Sequence, residues 1–478
     1  MGRAGVEARL PFPTGRTGRV GRAGRGIADG ARRTGAAKAV AAARPAARPT
    51  ASVLRRDRHQ PDYSILLAVV ALAAIGILMV YSSSAMSAYI GPRNDTFAIV
   101  GPQIFWGGLG ILAMVVVMRI DYRWLRLVSV PGYVVALVLL ALVFVPTLGR
   151  VVGGSARWLV LGPLPGVHPA EIAKLALIVY LAHWMANKGK AIGGFRSGLV
   201  PFLLIAGPVI ALVFKEPDLG TTIVITLTAF TMFFVAGASL LQLGALGGAG
   251  ALGAALVMAL NGSLLKDYQL ERIRTFLDPW ADPLGTGFHT IQGLLALGLG
   301  GIFGSGLGES KLAGGLYLPN AWNDFIFAII GEEFGFVGAG IVVGLFVLLA
   351  YAGIRTALRA PDTFGALLAA GITAWLCYQA FINIGVVVAL LPVTGITLPF
   401  ISAGGSSLLV SFAAAGVLLS ISRETRDPQR SNKSDDAATT RTETGRTDAT
   451  ADRGRRDRGS HLPGARRRDL APSTTRRG

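Results

Sequence analysis

Ten apolar segments account for most of the middle of this sequence, at roughly 64–82, 97–118, 127–146, 169–186, 198–214, 219–236, 243–261, 324–352, 363–390 and 405–422. A helix rises about 1.5 Å per residue and the hydrocarbon of a bilayer is about 30 Å thick, so about 20 apolar residues suffice to cross it. No soluble core is built from ten such runs, and hydrophobic residues make up 52% of the chain against 15% charged. The expected fold is all-α and integral to a membrane, with about ten transmembrane helices. The fifth and sixth segments are short, and Pro208 and Pro217 would tilt or break them. No period of 20–50 residues indicates a repeat.

The formal net charge of +19 suggests nucleic acid at first sight, but its distribution does not. Residues 1–60 carry 14 Lys/Arg against 3 Asp/Glu, and residues 423–478 carry 15 against 9, which leaves 61–422 with 17 against 15. The chain thus divides into a basic tail (1–60), a nearly neutral membrane domain (61–422) and a second basic tail (423–478). Both tails are rich in Arg, Gly, Ala, Thr and Pro, the composition of disordered segments. Loops 119–126, 187–197 and 353–362 add Arg119, Arg123, Arg126, Lys188, Lys190, Arg196, Arg355 and Arg359 on the side of the tails. The positive-inside rule places that side, and both termini, in the cytoplasm of a multi-pass inner-membrane protein. The tails are then drawn to anionic membrane lipid rather than to nucleic acid. Residues 1–60 contain no apolar core of a cleaved signal peptide.

The opposite, outer face receives loops 147–168, 262–323 and 391–404. Loop 262–323, between helices 7 and 8, is long enough to suggest function. Its stretch 287–303 is apolar and Gly-rich but too short to span, so a re-entrant or interfacial helix is expected. One cysteine, Cys377, excludes an internal disulfide, and the five histidines are scattered without metal-ligand spacing. No protein-ligated metal site is expected.

Charges inside the spans are few: Glu171, Lys174, Asp324, Glu332 and Glu333. Each costs on the order of 3 kcal/mol if it faces lipid at a helix centre. Glu171 and Lys174 share a helix face, as a structural ion pair or as the lining of a polar cavity. Glu332 and Glu333 point about 100° apart on a helix with 3.6 residues per turn, so they meet different partners and one could cap a neighbouring element. In loop 147–168, Arg157-Trp158 joins a cation to an aromatic. That pair suits a phosphate-bearing ligand with a sugar or apolar part, but a Trp at this level is also ordinary interface behaviour. Loop 272–289 sets Asp278 and Asp282 among Pro and Gly, beside Arg272 and Arg274. An Asp there is either a turn former or a base poised to take a proton from a hydroxyl while cations hold a diphosphate. Pro392, Gly395 and Pro399 exclude a continuous helix over 391–404 and imply a tight loop folded over the bundle, with Gly404-Gly405 allowing close backbone approach.

Seven stretches together resemble the SEDS family of bacterial membrane proteins, which includes FtsW, RodA and SpoVE. They are VYSSS at 80–84, SARWLVLGP at 155–163, HPAEIAKLAL at 168–177, KEPDLGTT at 215–222, FLDPWADPLGTGF at 276–288, DFIFAIIGEE at 324–333 and LPVTGITLPFISAGGSS at 391–407. The resemblance implies a ten-helix peptidoglycan glycosyltransferase that polymerises lipid II, the undecaprenyl-diphosphate-linked disaccharide-pentapeptide. It maps the essential acid of the long loop to Asp282, and the motif Trp and Arg of the earlier loop to Trp158 and Arg157. Asp282 would be the general base on the acceptor sugar's 4-hydroxyl, whose oxygen displaces undecaprenyl diphosphate to leave a β-1,4 bond. Arg157, Lys174, Arg272 and Arg274 are the cations available to the diphosphate, with Glu171 beside them. A divalent cation, Mg2+ or Mn2+, could help neutralise it. The implied partners are a class B penicillin-binding protein transpeptidase and other division proteins, since VYSSS, KEPDLGTT, DFIFAIIGEE and Ala403 look more FtsW-like than RodA-like. An elongation polymerase of the RodA type, a lipid II flippase and a recruiting scaffold are the rival readings. The sequence departs from the family at His168-Pro169-Ala170-Glu171, Phe288-His289, Asn320-Ala321-Trp322-Asn323 and Ala403.

Overall fold

The computed structural model describes residues 60–91, 94–152, 155–159, 166–259, 267–319 and 321–424. The chain divides at residues 55/56, and all described residues belong to the second unit. The expected disorder of the tails therefore lies outside the described residues, except for Gln60 and for Arg423 and Glu424.

Thirteen helices follow in order: α1 (Tyr63–Ile90), α2 (Val100–Arg119), α3 (Leu125–Leu142), α4 (Pro169–Lys188), α5 (Val200–Lys215), α6 (Leu219–Val235), α7 (Leu240–Ala259), α8 (Asp267–Leu277), α9 (Phe288–Gly300), α10 (Lys311–Gly314), α11 (Ile326–Arg359), α12 (Thr363–Val387) and α13 (Gly405–Ser422). Each of the ten apolar segments falls on a helix. Seven of those helices are long and apolar enough to cross a membrane among the described residues. Of the other three, α6 has 17 residues, the apolar part of α7 is Leu240–Gly253, and α4 carries Glu171 and Lys174 in its first turns. The protein is a multi-pass membrane protein.

One element departs from an all-α fold. β1 (Gly149–Val152) and β2 (Ser155–Leu159) form an antiparallel hairpin with Arg150 opposite Trp158. The adjacent valines of GRVV break the period-2 alternation of a strand, so the sequence reads only as a loop here.

Helix directions alternate, so the bundle has two distinct ends. At the end where α1 begins and α13 finishes, the Asp62 amide donates to Ser422 Oγ at 3.1 Å. The same end holds a charge network. Arg123 pairs with Asp121 (3.2 Å), Asp362 (3.2 Å) and Glu424 (2.8 Å), and Arg126 with Asp362 (3.3 Å). Burial alone would raise the Asp362 carboxyl, but the Gly365 amide, the Tyr122 hydroxyl and the two arginines hold it below its ordinary value. Of the predicted basic loops, 119–126 and 353–362 lie at this end, where α1 begins and α13 finishes. Small residues bring the helices together: a Cβ on Gly110 of α2 would meet Phe412 of α13 at 2.4 Å, and one on Gly416 of α13 would meet the Met114 carbonyl at 2.7 Å.

α11 is not continuous. Gly335 has φ 66°, ψ −162°, and breaks the helix in its first third. The chain after α9 seats in that break like a strap. The amides of Phe336 and Val337 donate to the carbonyls of Gly301 (2.9 Å) and Ile302 (3.1 Å), while those of Ser305 and Gly306 donate to Glu332 (2.9 Å) and Glu333 (3.0 Å). A helix broken inside a membrane protein must have its freed groups satisfied in this way. The two glutamates diverge as their 100° offset requires. Glu332 accepts from Ser310 Oγ (2.5 Å) and the Lys311 amide (2.8 Å), at the start of α10, and Glu333 accepts from Ser82 Oγ of α1 (2.5 Å). Gly304, at φ +85°, would carry a Cβ 2.1 Å from the Glu333 carbonyl oxygen. Gly304→Ala is expected to cost on the order of 1–3 kcal/mol in backbone strain alone and to lower the melting temperature in detergent by several degrees. An unshifted melting curve would show that the strap is not fixed.

Candidate active site

At the end of the bundle opposite the tails, four helices present their N-termini to one cavity of about 200 Å³. α4 contributes His168 and Glu171, α6 contributes Asp218 and Thr221, α13 contributes Gly404, Ser406 and Ser407, and the turn before α11 contributes Asn323 and Asp324. The hairpin supplies Arg157 and Trp158, and loop 388–404 supplies Gly395, Ile396 and Thr397. The N-terminal ends of helices carry partial positive charge and unpaired amides, which favour an anionic group.

Each wall is held by a traceable set of bonds. Arg157 Nη2 donates to the Pro217 carbonyl at 2.6 Å, which ties the hairpin to the α5–α6 corner. Trp158 stands edge-on to His168 with ring centroids 5.4 Å apart. Asp218 caps α6, its Oδ1 accepting from the Thr221 amide at 3.0 Å, and its Oδ2 lies 3.8 Å from His168 Nε2. Burial holds the His168 imidazole below its ordinary value, so at neutral pH this contact is not an ion pair. The His168 amide donates to Ser406 Oγ at 3.1 Å, which joins α4 to α13.

Two amides inside apolar runs position the loops over the bundle. Asn383 Nδ2 donates to the carbonyls of Asp324 (2.7 Å) and Ile396 (2.8 Å). Gln379 Nε2 donates to the Thr397 carbonyl at 3.0 Å. Gln379 Oε1 accepts from Lys174 Nζ at 2.6 Å, and Lys174 also reaches Glu171 Oε1 at 2.8 Å and lies 5.1 Å from the centre of the Trp375 ring. Glu171 therefore lines the cavity while Lys174 lies buried beneath it, at 2% exposure. Both readings of this pair hold, one for each partner. Asp324, expected inside a span, instead precedes α11, because Asn383 holds its carbonyl in a turn that ends only at Ile326.

The long loop meets the cavity from the side. His289, at the start of α9, packs edge-on against Phe325 at 5.9 Å. Burial pushes the Asp324 carboxyl up, opposed by its own amide and by the nearby His289 and Arg272. Arg272 of α8 is half-buried and acts on both Asp324 and His289, whereas Arg274 is exposed and lines no part of the cavity. Asp282 is exposed, just past a one-turn 3-10 helix (Pro279–Ala281). Its Oδ1 accepts from the Gly285 amide and its Oδ2 from the Thr286 amide, each at 3.0 Å. It is fixed as a turn former would be, is open to solvent and does not itself line the cavity; its loop continues into α9, whose His289 packs against Phe325, next to Asp324 of the cavity wall.

Sequence reasoning did not single out His168, Asp218, Thr221, Thr397, Ser406 or Ser407 as site residues. All six lie in the quoted stretches, and their convergence depends on Gln379 and Asn383, polar residues conspicuous only as interruptions of an apolar run.

The arrangement has known counterparts. The family model described as "Cell cycle protein", covering FtsW, RodA and SpoVE, matches residues 63–427. The chain belongs to this family. Stage V sporulation protein E of Bacillus subtilis is 43% identical over 372 residues, which cover 77% of this chain and 99% of that protein. The probable peptidoglycan glycosyltransferase FtsW of Geobacter sp. (strain M18) is 40% identical over 371 residues, covering 76% and 97%. Among solved structures, a chain from a peptidoglycan synthase complex that coordinates polymerization and crosslinking superposes with a TM-score of 0.62 at 32% identity, covering 77% of this chain and 99% of the other. The rod shape determining protein RodA of Thermus thermophilus superposes with a TM-score of 0.55 at 29% identity, covering 77% and 98%. The family's match spans the whole helical bundle described above.

Glu216, at the corner between α5 and α6, is fully buried and stands two residues before Asp218 of the cavity wall. Burial, and then Asp218 beside it, push its carboxyl from an ordinary 4.5 up to about 8 against the pull of Arg157. A carboxyl raised on folding favours the protonated native state. Its contribution is full below about pH 4.5 and is lost as pH rises toward about 8. Glu216→Gln mimics the neutral form, and is expected to flatten the fall in melting temperature between about pH 5 and about pH 8. An unchanged pH profile would remove Glu216 as its source.

Proposed function

We propose that this protein is a peptidoglycan glycosyltransferase that polymerises lipid II into β-1,4 glycan strands on the outer face of the cytoplasmic membrane, in the manner of FtsW in division. The observation that carries the reading is the polar cavity ringed by helix N-termini, with an exposed carboxylate on the loop leading into it. The helix ends and Arg157 suit a diphosphate, and Trp158 suits a sugar ring. Asp282 takes the proton of the acceptor's 4-hydroxyl. That oxygen then bonds to the donor's anomeric carbon from the face opposite the diphosphate, which departs with the bonding pair. Arg272 stands where it can balance charge at the cavity edge, and Lys174 acts by fixing Glu171.

Both tails lie in the cytoplasm, the side on which the positive-inside rule puts their arginines. A class B penicillin-binding protein is the expected partner, since the relative in the synthase complex works where polymerization is coordinated with crosslinking. Among the described residues no group of three His, Cys, Asp or Glu is placed to hold a metal. Mg2+ or Mn2+, when bound, would supply further positive charge to the departing diphosphate. A flippase reading fits less well, because the cavity lies at one end of the bundle and not at its midplane. Purified protein with lipid II, with and without its transpeptidase, should yield glycan chains. Movement of lipid II across vesicles without any polymer would overturn the assignment.

A further inference from the structure

The end of the bundle nearest the tails holds a second and larger pocket, of about 420 Å³, which the glycosyl transfer does not use. Asp62, Tyr63 and Ser64 at the start of α1 form one wall, and Arg355, Thr356 and Arg359 at the end of α11 form another. Asp62 serves two groups: its Oδ1 caps α1 by accepting from the Ser64 amide at 3.0 Å, and its Oδ2 takes the Arg355 guanidinium. Arg359 lies one turn further along α11, is exposed, and has no ion-pair partner among the described residues. Among the described residues that line the pocket, two guanidinium groups face one carboxylate, an excess of one positive charge.

The surface beside the pocket is apolar. On α11, Tyr351, Ile354 and Leu358 are 61%, 54% and 82% exposed, and on α1, Tyr63 and Leu67 are 60% and 62% exposed. Positions 351, 354 and 358 share one helix face. On spanning helices such a ridge faces lipid, and tyrosines at its end mark the level of the headgroups. A cationic pocket opening onto an apolar ridge at that level matches both halves of a phospholipid, whereas a soluble anion would use only the first half. The excess positive charge favours a headgroup without a cation of its own.

We propose that this pocket binds the phosphodiester of an anionic phospholipid, with an acyl chain laid along the α1–α11 ridge, in the leaflet on the side of the tails. Native mass spectrometry of the full-length protein with added phosphatidylglycerol, phosphatidylcholine or inorganic phosphate tests it. Wild type should retain phosphatidylglycerol in preference to phosphatidylcholine, and Arg359→Gln should lower that retention about tenfold, as expected for loss of one charge-assisted hydrogen bond. Asp62→Asn keeps the helix cap but releases Arg355, and should raise retention. All three proteins carry the same basic tails, so tail electrostatics cancel in the comparison, and equal melting curves confirm that Arg359→Gln is folded. Equal retention by Arg359→Gln and wild type, equal binding of phosphatidylcholine, or displacement of the lipid by millimolar phosphate would each overturn the proposal. None of these readouts depends on glycan synthesis.

Discussion

Asp282→Asn should polymerise lipid II at a rate about 10²–10⁴ below wild type, the usual worth of a positioned general base. The variant is chosen for its geometry. Asp282 uses one oxygen for the Gly285 amide and the other for the Thr286 amide. Asparagine keeps one of these acceptors, so the turn loses at most one bond, worth about 0.5–1.5 kcal/mol net. Each carboxylate oxygen has a second lone pair, free for a sugar hydroxyl, and the asparagine amide cannot take up a proton there. The side chain is exposed, so unfolding is not expected to confuse the result. The checks are glycan chain yield from purified protein and a melting temperature lowered by no more than about 4 °C. Asp282→Asn with wild-type turnover would leave the residue as a turn former only.

The largest effect on stability is expected at Lys174. Lys174 is 2% exposed, and among the described residues its ammonium bonds to Glu171 and Gln379, above the Trp375 ring. Lys174→Met removes the charge that compensates Glu171, itself 5% exposed, and breaking one side of a buried pair costs about 3–5 kcal/mol. Exchanging both partners, Glu171→Gln with Lys174→Met, should recover most of that loss, because no uncompensated charge then remains. Melting temperatures of the single and double variants decide the matter. A double variant no more stable than Lys174→Met would mean that the lysine matters mainly through Gln379 and the loop it anchors.

The helices were legible because spanning segments announce themselves by length and apolarity, and the ten runs all fall on helices. The divergence of Glu332 and Glu333 followed from helical geometry alone, and one of them does cap a neighbouring element. What escaped depends on distant partners. GEEFGFVG reads as helix by composition, and only the strap from α9 shows why Gly335 breaks it. The strands of the hairpin escaped because adjacent valines in β1 break the alternation that marks a strand. The cavity required Asn383 to bring residues 324 and 396 together, a relation between loops that no periodicity encodes. Asp282 could be singled out only by resemblance, since its local setting is that of any turn.

The strap between α9 and the broken helix is held by main-chain atoms, apart from Ser305 and the glutamates. Outside its glycines, side chains there are free to drift as lineages separate. Length is not free: one residue inserted between 302 and 305 would throw the Gly301 and Ile302 pairs out of step with those of Ser305 and Gly306. Descendants of this chain should vary in spelling across that stretch and hold its count constant.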